Sequence, residues 1–300
     1  MRTIIQNIII NLWVIPIYFF INIRRYINEK KIKQISNNEL LKNGFIKFNS
    51  DNGTKLAEYL KNVVENPEDA ENSNLGKFKI FSRSSLGVKS IAVDSSSEFL
   101  HKYVFTEEIL KKLENFYGKS FYLRNNPTLE FDYDNEKNDS QYFHLDWGLK
   151  QTSVMINLND VLKNSTHMEY IKGSNRQYKF RPPSRFNKRE IQNIEYKHKN
   201  LETVKTTGDI GQISIFDAGC GYHRQVAGGR RVMLHLNFTE NLVFTYWKKN
   251  WQPSDTAYWF SDNSENLKLK DKLFDLVKRR FNSSFFTPHI YKKLMTRKVH

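Results

Sequence analysis

The chain carries a single cysteine, Cys220, in 300 residues, so no internal disulfide framework can form and no cluster of thiolates can hold a metal. One cysteine fits a reducing compartment, and a cytoplasmic location is expected. Acidic residues are in deficit, 32 Asp and Glu against 47 Lys and Arg, which leaves a formal charge of +15. That balance favours something anionic as a contact: a phosphorylated small molecule, a carboxylate co-substrate, a lipid surface or nucleic acid. The basic residues are scattered without an aromatic-basic repeat, a poor footprint for nucleic acid, so no nucleic-acid partner is expected. Internal repeats and low-complexity tracts are missing as well.

Charge is missing altogether from residues 4–23, IIQNIIINLWVIPIYFFINI, and Arg24, Arg25, Lys30, Lys31 and Lys33 follow directly. The run has about the ~20-residue length that crosses a hydrocarbon core. Basic residues on its C-terminal flank would hold the following domain on the cytoplasmic face, anchored to the inner side of a membrane. The lone Arg2 before the run and the lack of a small-residue cleavage site argue against a cleaved signal peptide. Gln6, Asn7, Asn11, Pro16 and Asn22 interrupt the apolar texture, so a helix packed on the domain or lying in the interface plane is the alternative.

What is present suffices for a sizeable core: hydrophobic residues make up 39% and aromatic residues 14% of the chain, and one domain can account for this length. From residue 38, NELLKNGFIKF reads as a short helix, a turn at Asn43-Gly44 and a strand over 45–48. Residues 66–74 are polar and breaker-rich, a loop. Apolar residues at Ile109, Leu110, Leu113 and Phe116 have helical spacing within 105–117. From residue 121 the texture changes to short strands, over 121–124, 128–133, 141–146, 153–158, 168–171, 213–216 and 231–238, the pattern of a sandwich or barrel. A polar, basic excursion over 179–200 reads as a lid or binding loop, and 267–281 as an amphipathic helix docked on the domain. The expected organisation is an apolar segment with basic flank over 1–37, a mainly β domain over 38–245, and a helical extension over 246–300.

Chemistry concentrates in two stretches. In YFHLDWG, His144 and Asp146 stand two apart; on a strand this spacing aims an imidazole and a carboxylate at one point. In GDIGQISIFDAGCGYHRQVAGGRRVMLHLNF, a strand is followed by a glycine-bearing turn, then His223, then a second strand opened by Arg231. Two His and one Asp with this separation match the facial triad that leaves coordination positions open on non-haem Fe(II), and three ligands with open positions also describe catalytic zinc. Arg231 favours iron, because a guanidinium inside an apolar barrel is costly unless it meets a carboxylate, and its planar fork pairs with one in bidentate fashion. Arg230 competes for the role. Strand parity groups Arg231 with Met233 and His235. His235 reads as a satisfied interior histidine, or else a fourth ligand. His101, His167, His198, His289 and His300 read as solvent-facing, and Leu145 as core.

In this order the stretches LLKNGFIKF, FHLD, SVMINLNDVLKNSTHMEYIKGSNR, GDIGQISIFDAGCGYHR and GGRRVMLHLNF resemble the phytanoyl-CoA dioxygenase family of Fe(II)/2-oxoglutarate oxygenases over roughly residues 38–238. The resemblance departs at Asn175, where the family turn commonly has His, and at Asn164-Ser165-Thr166, which replaces an Asn-Gly-Pro lead. It implies a mainly β fold with flanking helices, a double-stranded β-helix or cupin-like jelly roll, with the metal at one open end. It implies His144, Asp146 and His223 as iron ligands, Arg231 as the anchor for the distal carboxylate of 2-oxoglutarate, and Asn157 as a further co-substrate contact or merely a strand-end polar residue. Fe(II), 2-oxoglutarate and O2 are the implied cofactors, and hydroxylation of a C–H bond with release of succinate and carbon dioxide the implied reaction. Related halogenases lack the carboxylate that Asp146 supplies, so hydroxylation is preferred. The substrate expected is a small molecule, anionic if the basic loop (Lys179, Arg181, Arg185, Lys188, Arg189, Lys197, Lys199) faces it, or lipid- or glycan-linked if the chain sits at a membrane. The rival readings are a zinc-using hydrolase or isomerase on the same ligands, and a non-catalytic jelly roll that binds an anionic surface or ligand. Oligomeric state is not legible.

The apolar segment is open to a direct check. Full-length protein is expected to pellet with membranes at low salt, whereas a chain starting at Gln34 is expected to stay in the supernatant; if both remain soluble and turn over equally, residues 4–23 pack on the domain.

Overall fold

The computed structural model describes residues 38–67, 79–83, 88–93, 97–117, 121–123, 127–132, 142–146, 151–176 and 200–239. The apolar segment 4–23, most of the basic excursion over 179–200 and the helix expected over 267–281 lie outside the described residues, as does most of the loop at 66–74.

The domain opens as its local sequence dictates. Helix α1 (Glu39–Asn43) is capped by Asn38, whose side-chain oxygen accepts from the Leu41 N–H at 3.1 Å, satisfying one of the donors a helix start leaves orphaned. It ends at Gly44, left-handed at φ 73°, where a Cβ would also collide with the Tyr170 hydroxyl; only glycine meets both demands. The chain then enters β1 (Phe45–Asn49). Helices α2 (Asp51–Tyr59), α3 (Lys61–Glu65), α4 (Glu98–Tyr103) and α5 (Glu107–Tyr117) flank the sheets. In α5, Ile109, Leu113, Phe116 and Tyr117 are buried, the i, i+4, i+7 stripe of an amphipathic helix.

Two antiparallel sheets follow. The larger runs in the order β1–β9–β6–β11–β5–β3–β2, with β2 (Lys79–Arg83), β3 (Val88–Ala92), β5 (Thr128–Asp132), β6 (Gln151–Asn157), β9 (Gln212–Asp217) and β11 (Arg231–Thr239), and the short β4 (Tyr122–Leu123) pairs with β11. The smaller is β10–β7–β8, made of β7 (His167–Ile171), β8 (Thr203–Lys205) and β10 (His223–Val226). Alternation sorts the side chains of the large sheet. Leu129 and Phe131, Val154 and Ile156, Ile213 and Ile215, and Val232, Leu234, Leu236 and Phe238 join the helices in one core; burying each such side chain is worth roughly 1.5–3 kcal/mol. The opposite face meets the small sheet, where Phe45, Met155, Phe216 and Met233 pack against Met168 and Tyr170. This is a jelly roll with helices on one outer face, as the sequence leads one to expect.

Four findings differ from the sequence reading. Residues 142–146 do not form a regular strand; the segment makes a single bridge, His144 to His223, because the chain curls away to hydrogen-bond Asp146 N–H to Ala218 O at 2.8 Å. Helices α2, α3 and α4 and strands β2, β3, β8 and β10 were not foreseen. Strands β6 and β11 depart from their expected bounds of 153–158 and 231–238, each being one residue longer. His167 is buried, with 3% exposure, not solvent-facing: its Nδ1 donates to Ser165 O at 2.8 Å, and its ring lies 3.8 Å from the Glu169 carboxylate. His101 is exposed as expected.

Glu169 is the electrostatic centre of the small sheet, and it packs among cations. Arg224 reaches it at 2.8 Å and Lys205 at 3.1 Å. His167, Arg224 and Lys205 together outweigh burial and hold its carboxyl at about 2, below the usual 4.5. A depressed carboxylate stabilises the fold above its unfolded value and loses that contribution as pH falls toward 2. Glu169→Gln is therefore expected to destabilise the protein by about 3 kcal/mol at pH 7, with the gap to wild type closing as pH falls from 4.5 toward 2. Urea midpoints of both proteins at pH 7 and pH 3 check this; equal gaps at the two pH values would contradict it.

Candidate active site

The bridge between residues 142–146 and β10 brings the two motifs together. His144 N–H donates to His223 O at 2.9 Å and His223 N–H to His144 O at 3.1 Å. Asp146 then turns its carboxylate onto both rings, with Oδ1 at 3.9 Å from His144 Nε2 and 3.7 Å from His223 Nε2. The three ligand atoms fall within 4.8 Å of one another, the spacing of groups that share one small cation. Both imidazoles are oriented from behind. His144 Nδ1 donates to Tyr142 O at 2.8 Å and His223 Nδ1 to Gly221 O at 3.1 Å, which leaves each Nε2 lone pair aimed inward. The carboxylate is held likewise, its Oδ2 accepting from Gln151 Nε2 at 3.0 Å.

The centre is buried on one side and open on the other: the His223 side chain is 5% exposed, against 28% for His144 and 32% for Asp146. The Phe216 ring packs on His223 at 5.4 Å. Burial and the neighbouring His144 lower the His223 value to about 4 from 6.5, so near neutral pH this ring is the neutral imidazole that metal coordination requires. Gly221 has a steric role: a Cβ there would run into the Tyr170 ring, so glycine lets the chain approach β7 before His223.

Arg230 and Arg231 go opposite ways. Arg230 is exposed and donates to Val64 O at 2.7 Å. Arg231 is 2% exposed and shares the inner face with Met233, donating from Nε (2.7 Å) and Nη2 (2.6 Å) to Oδ2 of Asp132, its cross-strand neighbour. Gln225 of β10 donates to the other carboxylate oxygen at 3.1 Å. Arg231 Nη1 is buried and has no partner among the described residues. A buried guanidinium N–H left unpaired is costly, and a carboxylate entering beside it would remove that cost. The residues thus fit a divalent cation and, deeper in the roll, a bound carboxylate. Asn157 faces the same interior but spends its amide nitrogen on the carbonyls of Thr206, Gly208 and Asp209, at 3.3 to 3.5 Å, clamping the turn before β9. Leu145 is half-buried against Phe143, Ile171 and Tyr222. His235 is interior, its Nδ1 bonded to Glu130 at 3.0 Å.

Sequence reasoning missed Asp132, Glu130, Gln151 and Gln225. A signal existed for two of them, since alternation in TLEFD puts Glu130 and Asp132 on one face between apolar Leu129 and Phe131. Gln225 gains meaning only through a partner 93 residues away, and Gln151 only once the chain folds it back onto Asp146.

No protein-family profile matches the chain, and no curated protein matches it. Solved structures do. EctD from S. alaskensis, with 2-oxoglutarate and 5-hydroxyectoine, is 16% identical, spans 68% of this chain and 76% of its own, and superposes with a TM-score of 0.51. HygX from Streptomyces hygroscopicus, with nickel and 2-oxoglutarate bound, is 11% identical, spans 71% of this chain and 90% of its own, and gives a TM-score of 0.50. At these identities the likeness defines the fold.

The buried pair carries its own prediction. Asp132→Asn would strand a charged guanidinium and is expected to destabilise the fold by about 3–5 kcal/mol, whereas Arg230→Ala, at the surface, is expected to stay within about 1 kcal/mol. Urea unfolding at pH 7 compares them, and equal losses would contradict the assignment of Arg231 as the interior arginine.

Proposed function

We propose that the protein is an Fe(II)- and 2-oxoglutarate-dependent dioxygenase that hydroxylates an aliphatic C–H bond of a small substrate, in or near the phytanoyl-CoA dioxygenase family. The observation that carries this reading is the combination, on the inner face of one jelly roll, of His144, Asp146 and His223 converging at a partly open mouth with a buried arginine whose Nη1 has no partner among the described residues. A zinc hydrolase would use the triad but has no task for that arginine. Iron held by the triad would supply the oxidative decarboxylation of 2-oxoglutarate by O2 to succinate and carbon dioxide, with the second oxygen atom passing to the substrate C–H to give an alcohol.

The chain's own residues prepare for this. His144 and His223 offer neutral Nε2 donors on one side of the cation, and Asp146 adds a carboxylate that offsets part of its charge. Arg231 is positioned by Asp132 to receive the distal carboxylate of the co-substrate through Nη1, a charge-assisted bond in a site of low dielectric. Phe45, Met155, Met168, Phe216 and Met233 form an apolar wall that keeps water from the reacting groups. Asp146 occupies the third ligand position, which supports hydroxylation over halogenation. The expectation of an anionic substrate rests on the basic loop and that of membrane attachment on residues 4–23, and both segments lie outside the described residues. A membrane-anchored cytoplasmic enzyme remains part of the proposal on sequence grounds.

Succinate release from 2-oxoglutarate by Fe(II)-loaded protein tests the reading. Alanine at His144, Asp146 or His223 is expected to abolish it. Arg231→Ala is expected to raise the 2-oxoglutarate requirement at least ~30-fold, the equivalent of about 2 kcal/mol, while Arg230→Ala leaves it near wild type. Full turnover in His223→Ala would contradict the ligand assignment.

A further inference from the structure

Beyond the triad and the arginine, the inner face of β6, β11 and β5 carries a second polar group at the Asp146 end of the roll. Cross-strand register places His235 opposite Thr128 on β5 and Asn237 opposite Ser153 on β6. Gln151 joins the group to the metal centre, donating to Asp146 at 3.0 Å and to Asn237 Oδ1 at 3.4 Å. His235 and Asn237 are half-buried, whereas Leu234, Leu236 and Phe238, on the other face of the strand, are fully buried. Burying hydrogen-bonding capacity in a barrel interior costs stability unless each group finds a partner, and His235 Nε2 finds none among the described residues.

The internal bonds dictate what the open groups can offer. His235 Nδ1–H donates to Glu130 Oε1 at 3.0 Å, and that oxygen also accepts from Thr128 Oγ at 3.2 Å. The proton is thereby placed on Nδ1, so that in the neutral ring Nε2 is an acceptor; it is buried and has no partner among the described residues. Asn237 Oδ1 accepts from Ser153 Oγ at 2.8 Å and from Gln151, which turns the Asn237 amide nitrogen away as a donor. One acceptor and one donor thus stand two residues apart on one strand face, about 7 Å along the strand. The face adjoins the metal centre through Gln151, which bonds both Asp146 and Asn237.

We propose that this patch is the substrate-recognition surface, and that it takes a neutral, polyhydroxylated ligand of the carbohydrate class, with hydroxyl groups bonded to His235 Nε2 and the Asn237 amide. A hydroxyl both donates and accepts, so neighbouring ring hydroxyls answer the acceptor and the donor together. The Glu130 carboxylate behind His235 disfavours a phosphate or carboxylate at this position. An alkyl chain would leave both polar groups desolvated and unpaired. The inference rests on the dioxygenase reading and narrows it toward the glycan side.

Saturation-transfer NMR on the full-length protein loaded anaerobically with Fe(II) and 2-oxoglutarate tests it. The probes are methyl glucoside, methyl galactoside, methyl N-acetylglucosaminide and trehalose, set against glucose 6-phosphate and decanoate. Transfer is expected to at least one neutral sugar and to drop to background in His235→Phe and in Asn237→Asp, which keeps the oxygen that Ser153 and Gln151 use but removes the outward donor. The visible absorbance of the Fe(II)–2-oxoglutarate chelate is read in parallel: its absence from wild type would sink the dioxygenase reading itself, and its retention in the variants shows an intact site. The carbohydrate assignment is overturned if the phosphate or decanoate alone shows transfer, if no probe does, or if sugar transfer persists in both variants.

Discussion

The site depends on one backbone pairing, the two-bond bridge between His144 and His223. Residues 142–146 have no other regular strand contact, so this bridge and the Asp146 bond to Ala218 hold one half of the ligand set against the other. Because the bridge sets the two histidine Cα atoms opposite each other, their rings meet at 4.5 Å between centroids and the carboxylate two residues on closes the triangle. Each ring is then fixed by a carbonyl two residues before it, Tyr142 for one and Gly221 for the other. The repetition of this device, together with Gln151 behind Asp146, makes a site whose ligands are oriented before any cation arrives, the arrangement that tight and geometrically selective binding requires.

Three buried carboxylates in this roll meet basic side chains. Asp132 answers Arg231 and is steadied by Gln225, Glu130 answers His235, and Glu169 is enclosed by Arg224, Lys205 and His167. The first two pairs lie on the inner face, where they cost more to bury than apolar side chains of equal size would. Each leaves one nitrogen without a partner among the described residues: Nη1 of Arg231 and Nε2 of His235. Both stand on the inner face that carries the metal centre, and both are proposed as ligand contacts, one for a carboxylate and one for a hydroxyl.

Much of this was legible in the chain. Alternation in RVMLHLNF predicts β11 and its two faces, and in the structure Arg231 is buried and Arg230 exposed. The NELLKNG start, the α5 stripe and most strands fall within a few residues of their expected positions, because each is set by local periodicity and turn chemistry. The His-x-Asp pair converges as its spacing suggests, although by a bridge and a bend in place of a strand. What stayed hidden has non-local causes. His167 reads as an unremarkable polar residue until β7 is paired with β8 and β10, and Asp132, Gln151 and Gln225 acquire roles through partners up to 99 residues away. The short helices α2 to α4 owe their stability to the core they cover more than to their own propensity.

X-ray absorption at the iron edge of the Fe(II)-reconstituted protein, with and without 2-oxoglutarate, tests the central claim most directly. The account predicts two imidazole ligands with oxygen donors completing the shell, and a change in the oxygen donors alone when 2-oxoglutarate is added. A shell with a sulfur ligand, a different number of imidazoles, or no response to 2-oxoglutarate would contradict it.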